Sequence, residues 1–116
     1  MSAIAQAEPG GVAVHCAGGR DRTGQVTMLL LRLVGVAVED IAADYAMSAE
    51  RLPARYAARG EPDQGPLLEA FLAERGTSAA ELIVTTLRDL DIHAALQHAG
   101  LTSRDVSALR LRLAGP

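Results

Sequence analysis

Aromatic residues are nearly missing from this 116-residue chain, which has two Tyr, one Phe and no Trp, 3% in all. Its core must therefore rest on Ala, Leu and Val, and because Ala and Leu are strong helix formers the composition favours helices. Cysteine is reduced to one residue. That excludes an intramolecular disulfide, and with three scattered histidines a structural zinc site cannot be completed either. Such cysteine usage suits a reducing cytoplasm. Positive charge is not in excess, the formal net charge being -3 and the pI near 5.5, so no extended nucleic-acid footprint is expected. The N-terminus lacks a charged region followed by an apolar one. The most apolar run, Val26 to Val38, is too short to span a bilayer and contains Arg32. A soluble, cytoplasmic protein without stable membrane insertion is the expectation.

What is present is 49% hydrophobic, enough for one compact domain and too little chain for two. Residues 1–10 are small and polar, end in Pro9-Gly10, and read as a flexible lead-in to a domain over 11–116. Val12-Ala13-Val14 is the one convincing strand, a short apolar run that reads as buried. From Thr23 the pattern turns helical, with Val26, Leu29, Leu30, Leu33 and Val34 on one face, Met28 and Leu31 beside it, and Gly35 as the stop. A helix so apolar around its circumference is expected to be central and buried. A second helix begins near Val38 with Glu39 and Asp40 in its first turn, and Pro53 either starts a further segment or kinks this one. Residues 60–66 read as a loop. Ser78 and Glu81 have capping-box spacing ahead of Leu82, Ile83, Thr86, Leu87 and Leu90, and Gly100 stands as a stop. Thr102 and Asp105 repeat the start signal before Val106, Leu109 and Leu113.

Chemistry concentrates in His15-Cys16-Ala17-Gly18-Gly19-Arg20-Asp21-Arg22-Thr23-Gly24. Glycines after the cysteine let the backbone curl so that successive N–H groups face one concavity, and the helix that follows adds its positive end. That is an anion cradle. Arg22 can return across it and grip two phosphate oxygens with its planar fork, which Lys cannot do. A thiolate at the floor is stabilised by the same groups, so the pKa of Cys16 should be depressed and the sulfur a nucleophile near neutral pH. Thr23 can donate its hydroxyl to the sulfur as it leaves, and His15 can fix the loop through its ring nitrogens. No metal or cofactor is required. A nucleotide-binding P-loop is excluded, because Gln25-Val26 stand where Lys and Ser/Thr are needed. Taken alone, a cysteine after a Val-rich run is an ordinary small buried hydrophobe; its neighbours give it the catalytic reading.

The loop resembles the signature of the protein tyrosine phosphatase superfamily, a cysteine, five residues, then Arg-Thr. Within it the string is similar to the branch of bacterial tyrosine and dual-specificity phosphatases whose loop reads H-C-x-x-G-K-D-R-T-G. The resemblance continues through Asp44-Tyr45-Ala46-Met47-Ser48, Ala99-Gly100-Leu101-Thr102 and Leu109 to Leu113. Rhodanese-like sulfur transfer also uses a cysteine in an anion loop, but the Arg-Thr pair favours the phosphatases. Two departures stand out. Arg20 occupies the position of the branch's Lys, and the parallel sheet and acid-bearing loop that such proteins encode upstream of the cysteine are absent, so the chain resembles the C-terminal part of one.

The resemblance implies an α/β fold by family, and for this chain a mostly α structure of one buried strand, the phosphate loop and a helical bundle. It implies hydrolysis of phosphotyrosine, with phosphoserine, phosphothreonine or phosphoinositides as further substrates, through a phosphocysteine on Cys16. Residues Cys16, Ala17, Gly18, Gly19, Arg20, Asp21 and Arg22 would hold the phosphate. Asp21 is the one well-placed acid for the leaving group, or else it balances Arg20 or Arg22. The competing expectation is a weak or inactive phosphate-binding or assembly module. Partners are expected to be the phosphorylated substrate and either a second copy or a complementing N-terminal segment paired with Val12 to Val14. Arg51, Arg55 and Arg59 form one basic helical face if Pro53 leaves the helix intact, and a solvated face is the preferred reading. His93 and His98 are assigned nothing.

Overall fold

A computed structural model describes residues 1–115 as seven helices, with no strand among the described residues. They are α1 (Ser2–Ala5), α2 (Asp21–Leu33), α3 (Val38–Arg59), α4 (Gly65–Glu74), α5 (Ala79–Asp89), α6 (Ile92–His98) and α7 (Ser103–Ala114). The α/β expectation is thus corrected to an all-helical chain. Val12 and Val14 are 41% and 38% exposed, in a segment with no regular structure and no backbone hydrogen bond among the described residues. The physical reason is that a strand exists only through its ladder, and no second β-prone run stands beside this one to accept its N–H and C=O groups.

The helices fall into two compact units. One combines Met1–Val36 with Leu90–Pro116. Its core is Leu33, Ile92, Leu96, Leu101, Val106 and Leu109, with Met1, Ile4, Ala5, Leu29, Leu30 and Leu90 packed around it. Where the sequence offered only a lead-in, α1 forms a single turn whose apolar side chains reach this core. α2 ends as expected: Gly35 takes φ +86, and Val36 N donates to Leu31 O at 3.1 Å while Gly35 N donates to Arg32 O at 3.2 Å. This pair of bonds satisfies orphan carbonyls and requires the left-handed residue that glycine supplies without strain. α2 is less buried than its composition suggests, with Leu33 fully inside and Val26, Met28, Leu29, Leu30 and Leu31 half-buried. Helix α6 covers part of it, and no sheet among the described residues covers the rest.

α7 opens on a reciprocal cap. The Thr102 hydroxyl accepts from Asp105 N at 3.1 Å, and the Asp105 carboxylate accepts from Thr102 N at 3.0 Å and from the Thr102 hydroxyl at 2.7 Å. Gln6 Nε2 donates to the same carboxylate at 3.0 Å. These bonds, the Thr102 hydroxyl first and the Gln6 amide second, hold Asp105 below its ordinary pKa although the side chain is buried.

The other unit is Ala37–Asp89, in which α3 packs on α5 and Val38, Ile41, Ala42, Leu72 and Leu87 are buried. Pro53 neither ends nor restarts α3 but lies inside it. An interior proline costs roughly 3 kcal/mol through its missing donor and its clash with the preceding turn. Its exposed position lets water take the freed carbonyl. The continuous helix places Arg51, Arg55 and Arg59 on one face; Arg51 and Arg59 are exposed, and Arg59 pairs with Glu61 at 3.8 Å. At α5 the expected capping box forms, with Ser78 N donating to Glu81 at 3.1 Å and Glu81 N donating to the Ser78 hydroxyl at 3.2 Å. No described helix is long and apolar enough to cross a membrane.

Candidate active site

The site is assembled by the start of α2. Gly24 N donates to Arg20 O at 3.0 Å, the first bond of the helix, so the N–H groups of Asp21, Arg22 and Thr23 have no acceptor within it. A Ser, Thr, Asp or Asn side chain usually answers such groups. Arg20 at the N-cap makes no side-chain cap, and the sulfur of Cys16 takes that place. It accepts from Gly19 N at 3.1 Å. Residues 17–20 bend the chain back toward the helix, with Gly19 at φ +79 turning the amide inward. A side chain at that position would be strained.

Convergence on the sulfur lowers the Cys16 pKa from 9.0 to about 7, the Thr23 side chain contributing most, then the N–H groups of Thr23, Gly19 and Gly18, against a partial desolvation that raises it. The Thr23 hydroxyl is buried and makes no hydrogen bond of ordinary geometry. Its influence is that of a close donor engaged with nothing else, and the sulfur is what it acts upon. Two loop amides, the Thr23 amide in the first turn of α2 and the Thr23 hydroxyl thus favour negative charge at one atom.

Not every residue of the sequence motif joins this cluster. Arg20 is buried and engaged within the protein. Asp21 and Arg22 are exposed on the first turn of α2, and Arg22 has no ion-pair partner among the described residues. His15 is exposed and makes no hydrogen bond to the loop. Ala17 is exposed, while Cys16, Gly18 and Gly19 are half-buried. Upstream, the backbone is held by a residue that the motif does not contain. The Arg112 guanidinium bonds the carbonyls of Ala7, Glu8 and Gly10. The sequence marks Arg112 only as part of the Leu109 to Leu113 resemblance, with no sign of which groups it bonds.

The model of the "Tyrosine phosphatase family" matches residues 1–115. A tyrosine-protein phosphatase of Nostoc commune is 47% identical over 49 residues, 42% of this chain and 17% of that protein. A candidate tyrosine-protein phosphatase of Cupriavidus necator is 51% identical over 37 residues, 32% of this chain and 14% of its own length. The matched segments therefore span less than a fifth of either relative. No solved structure matches the chain significantly.

Proposed function

The chain belongs to the tyrosine phosphatase family, and from that premise we propose that it hydrolyses phosphomonoesters through a phosphocysteine on Cys16. One observation carries the reading: a thiol held at about 7 by Thr23, Gly19 and Gly18 at the foot of a helix. The thiolate attacks phosphorus, forming the S–P bond as the bond to the leaving oxygen breaks, and Asp21 gives that oxygen its proton. Loop N–H groups and the Arg22 fork receive the charge on the equatorial oxygens. Water then attacks the phosphocysteine and loses a proton to the Asp21 carboxylate. The S–P bond breaks to release inorganic phosphate, and the Thr23 hydroxyl receives the returning thiolate.

Phosphotyrosine is the proposed substrate, with phosphoserine, phosphothreonine and phosphoinositides as the wider range, in a cytoplasmic setting that keeps the thiol reduced. The proposal extends to association through residues 11–15. These are exposed, lie outside any helix and make no backbone hydrogen bonds among the described residues, so pairing with a second copy or another segment is their proposed use, read as a mass that rises with concentration in sedimentation.

The test of activity is turnover of p-nitrophenyl phosphate with and without vanadate. Vanadate-sensitive turnover that is lost in Cys16→Ser is expected, since a serine hydroxyl in this loop has no adjacent base. Equal turnover in Cys16→Ser would end the proposal.

A further inference from the structure

The nucleophile loop has two ends, and the structure fastens them differently. Downstream, residue 21 enters a 13-residue helix whose Leu33 is buried in the unit's core. Upstream, residues 11–15 lie outside any helix, are exposed and make no hydrogen bond among the described residues. The nearest fixed point before Cys16 is therefore Gly10. There Arg112 Nη1 donates to Gly10 O at 2.9 Å, while Nη2 donates to Glu8 O at 3.1 Å and to Ala7 O. One side chain thus bonds three carbonyls more than a hundred residues away in sequence. It is delivered by α7, which is anchored by the Thr102–Asp105 cap and by buried Val106 and Leu109. The second tie, from Gln6 to Asp105, lies further upstream.

We infer that Arg112 is a positioning residue for the nucleophile loop, its guanidinium fixing on α7 the upstream end of the stretch that delivers Cys16. This rests on the proposed function, since a loop that bore no nucleophile would have no need of a fixed entry. The chemistry suits arginine: a planar fork with donors on both outer nitrogens meets several carbonyls at once, and a lysine ammonium on a flexible stem cannot hold the same set. Without the grip, residues 7–10 lose these bonds and join residues 11–15 as backbone with no hydrogen bond to hold it. The amides of Gly18 and Gly19 then meet the sulfur for a smaller part of the time. The downstream anchor on α2 stays intact, so Thr23 stays in place and the sulfur keeps part of its stabilisation.

The test compares the full chain with Arg112→Lys, Arg112→Ala and a control, Arg110→Ala. Arg110 is exposed on the same helix and makes no such bonds. Alkylation of Cys16 by iodoacetamide is followed against pH, helix content is checked by circular dichroism, and p-nitrophenyl phosphate turnover is measured in parallel. In both Arg112 variants, at unchanged helix content, the alkylation midpoint should move upward from its wild-type position. A rise of one unit from about 7 cuts the thiolate fraction at pH 7 about fivefold. Arg110→Ala should follow the wild type. If Arg112→Ala loses helix content, Arg112→Lys, which retains the stem and the charge, decides. An Arg112→Lys profile that overlays the wild type overturns the inference. A wild type that turns over normally beside such an overlay would leave the proposed function standing. A shifted midpoint in a chain that hydrolyses nothing would do the reverse.

Discussion

Replacing Thr23 by Val removes one hydroxyl and little else, which makes it a sharp probe of how the sulfur is tuned. Both side chains are β-branched and fit the first turn of a helix alike. The Thr23 hydroxyl is buried without an ordinary hydrogen-bond partner, so its loss breaks no internal bond, and trading an unsatisfied buried polar atom for a methyl group is neutral or stabilising. Below about pH 7, where the thiol is neutral, the thermal midpoint should therefore hold or rise, and above it the midpoint should fall as the preference for the folded thiolate is lost. The thiol should become less acidic, because the Thr23 side chain is the largest single cause of the fall in Cys16 pKa from 9.0 to about 7. At a pKa of about 7 roughly half the cysteine is thiolate at pH 7, whereas at 9.0 the share is roughly one in a hundred. Thr23→Val keeps the three amide donors, so a midpoint between these limits is expected. A rise of about one unit would mean roughly a fivefold loss of alkylation rate at pH 7. Iodoacetamide kinetics across pH measures it, with Thr23→Ser as the variant that restores the hydroxyl and the midpoint. An unchanged midpoint in Thr23→Val would refute the reasoning, and so would a midpoint that rises equally in Thr23→Ser.

Three further outcomes follow from the same geometry. Because the folded-state pKa of Cys16 is depressed, its contribution to stability is full above the unfolded value of 9.0 and is lost as pH falls through about 7; the thermal midpoint of the wild type, relative to Cys16→Ser, should rise between those pH values and be flat below them. Asp21→Asn should slow alkyl phosphates far more than aryl phosphates, since only poor leaving groups need the proton, and an equal effect on both would return Asp21 to a structural role. Thr102→Ala removes the hydroxyl that Asp105 N and the Asp105 carboxylate both use; a lost cap costs about 1 kcal/mol, a fall of about 4 °C in a domain of this size, and thermal melts that overlay would contradict it.

Local signals were the ones legible in the sequence. The Ser78–Glu81 and Thr102–Asp105 boxes and the Gly35 and Gly100 stops involve groups three to five residues apart, so spacing alone reveals them. Asp91 shows the limit of that reading. It caps α6 by accepting from Ala94 N at 3.0 Å, but it stands in a stretch of helical spacing with no glycine or proline before Gly100 to mark a break. The residues around the sulfur, Gly18, Gly19 and Thr23, all lie within eight positions of Cys16, so their convergence on it is a short-range feature that the motif makes visible. Val12 to Val14 failed for the opposite reason, since strand formation depends on a partner that local pattern cannot supply. The burial of Arg20 was illegible in a different way, because a charged residue beside glycines carries no local sign that the fold will enclose it. Arg112 was the least accessible, because its three acceptors are backbone carbonyls and carry no residue type to recognise.

Whether Cys16 carries the phosphoryl group is tested most directly by rapid acid quench during hydrolysis of a phosphotyrosyl peptide, followed by mass spectrometry of the digested chain. A phosphoryl group on the peptide containing Cys16, formed before steady state and absent in Cys16→Ser, is the predicted result. Turnover by the wild type with no phosphorylated Cys16 at any quench time, and with the modification on another residue, would contradict it.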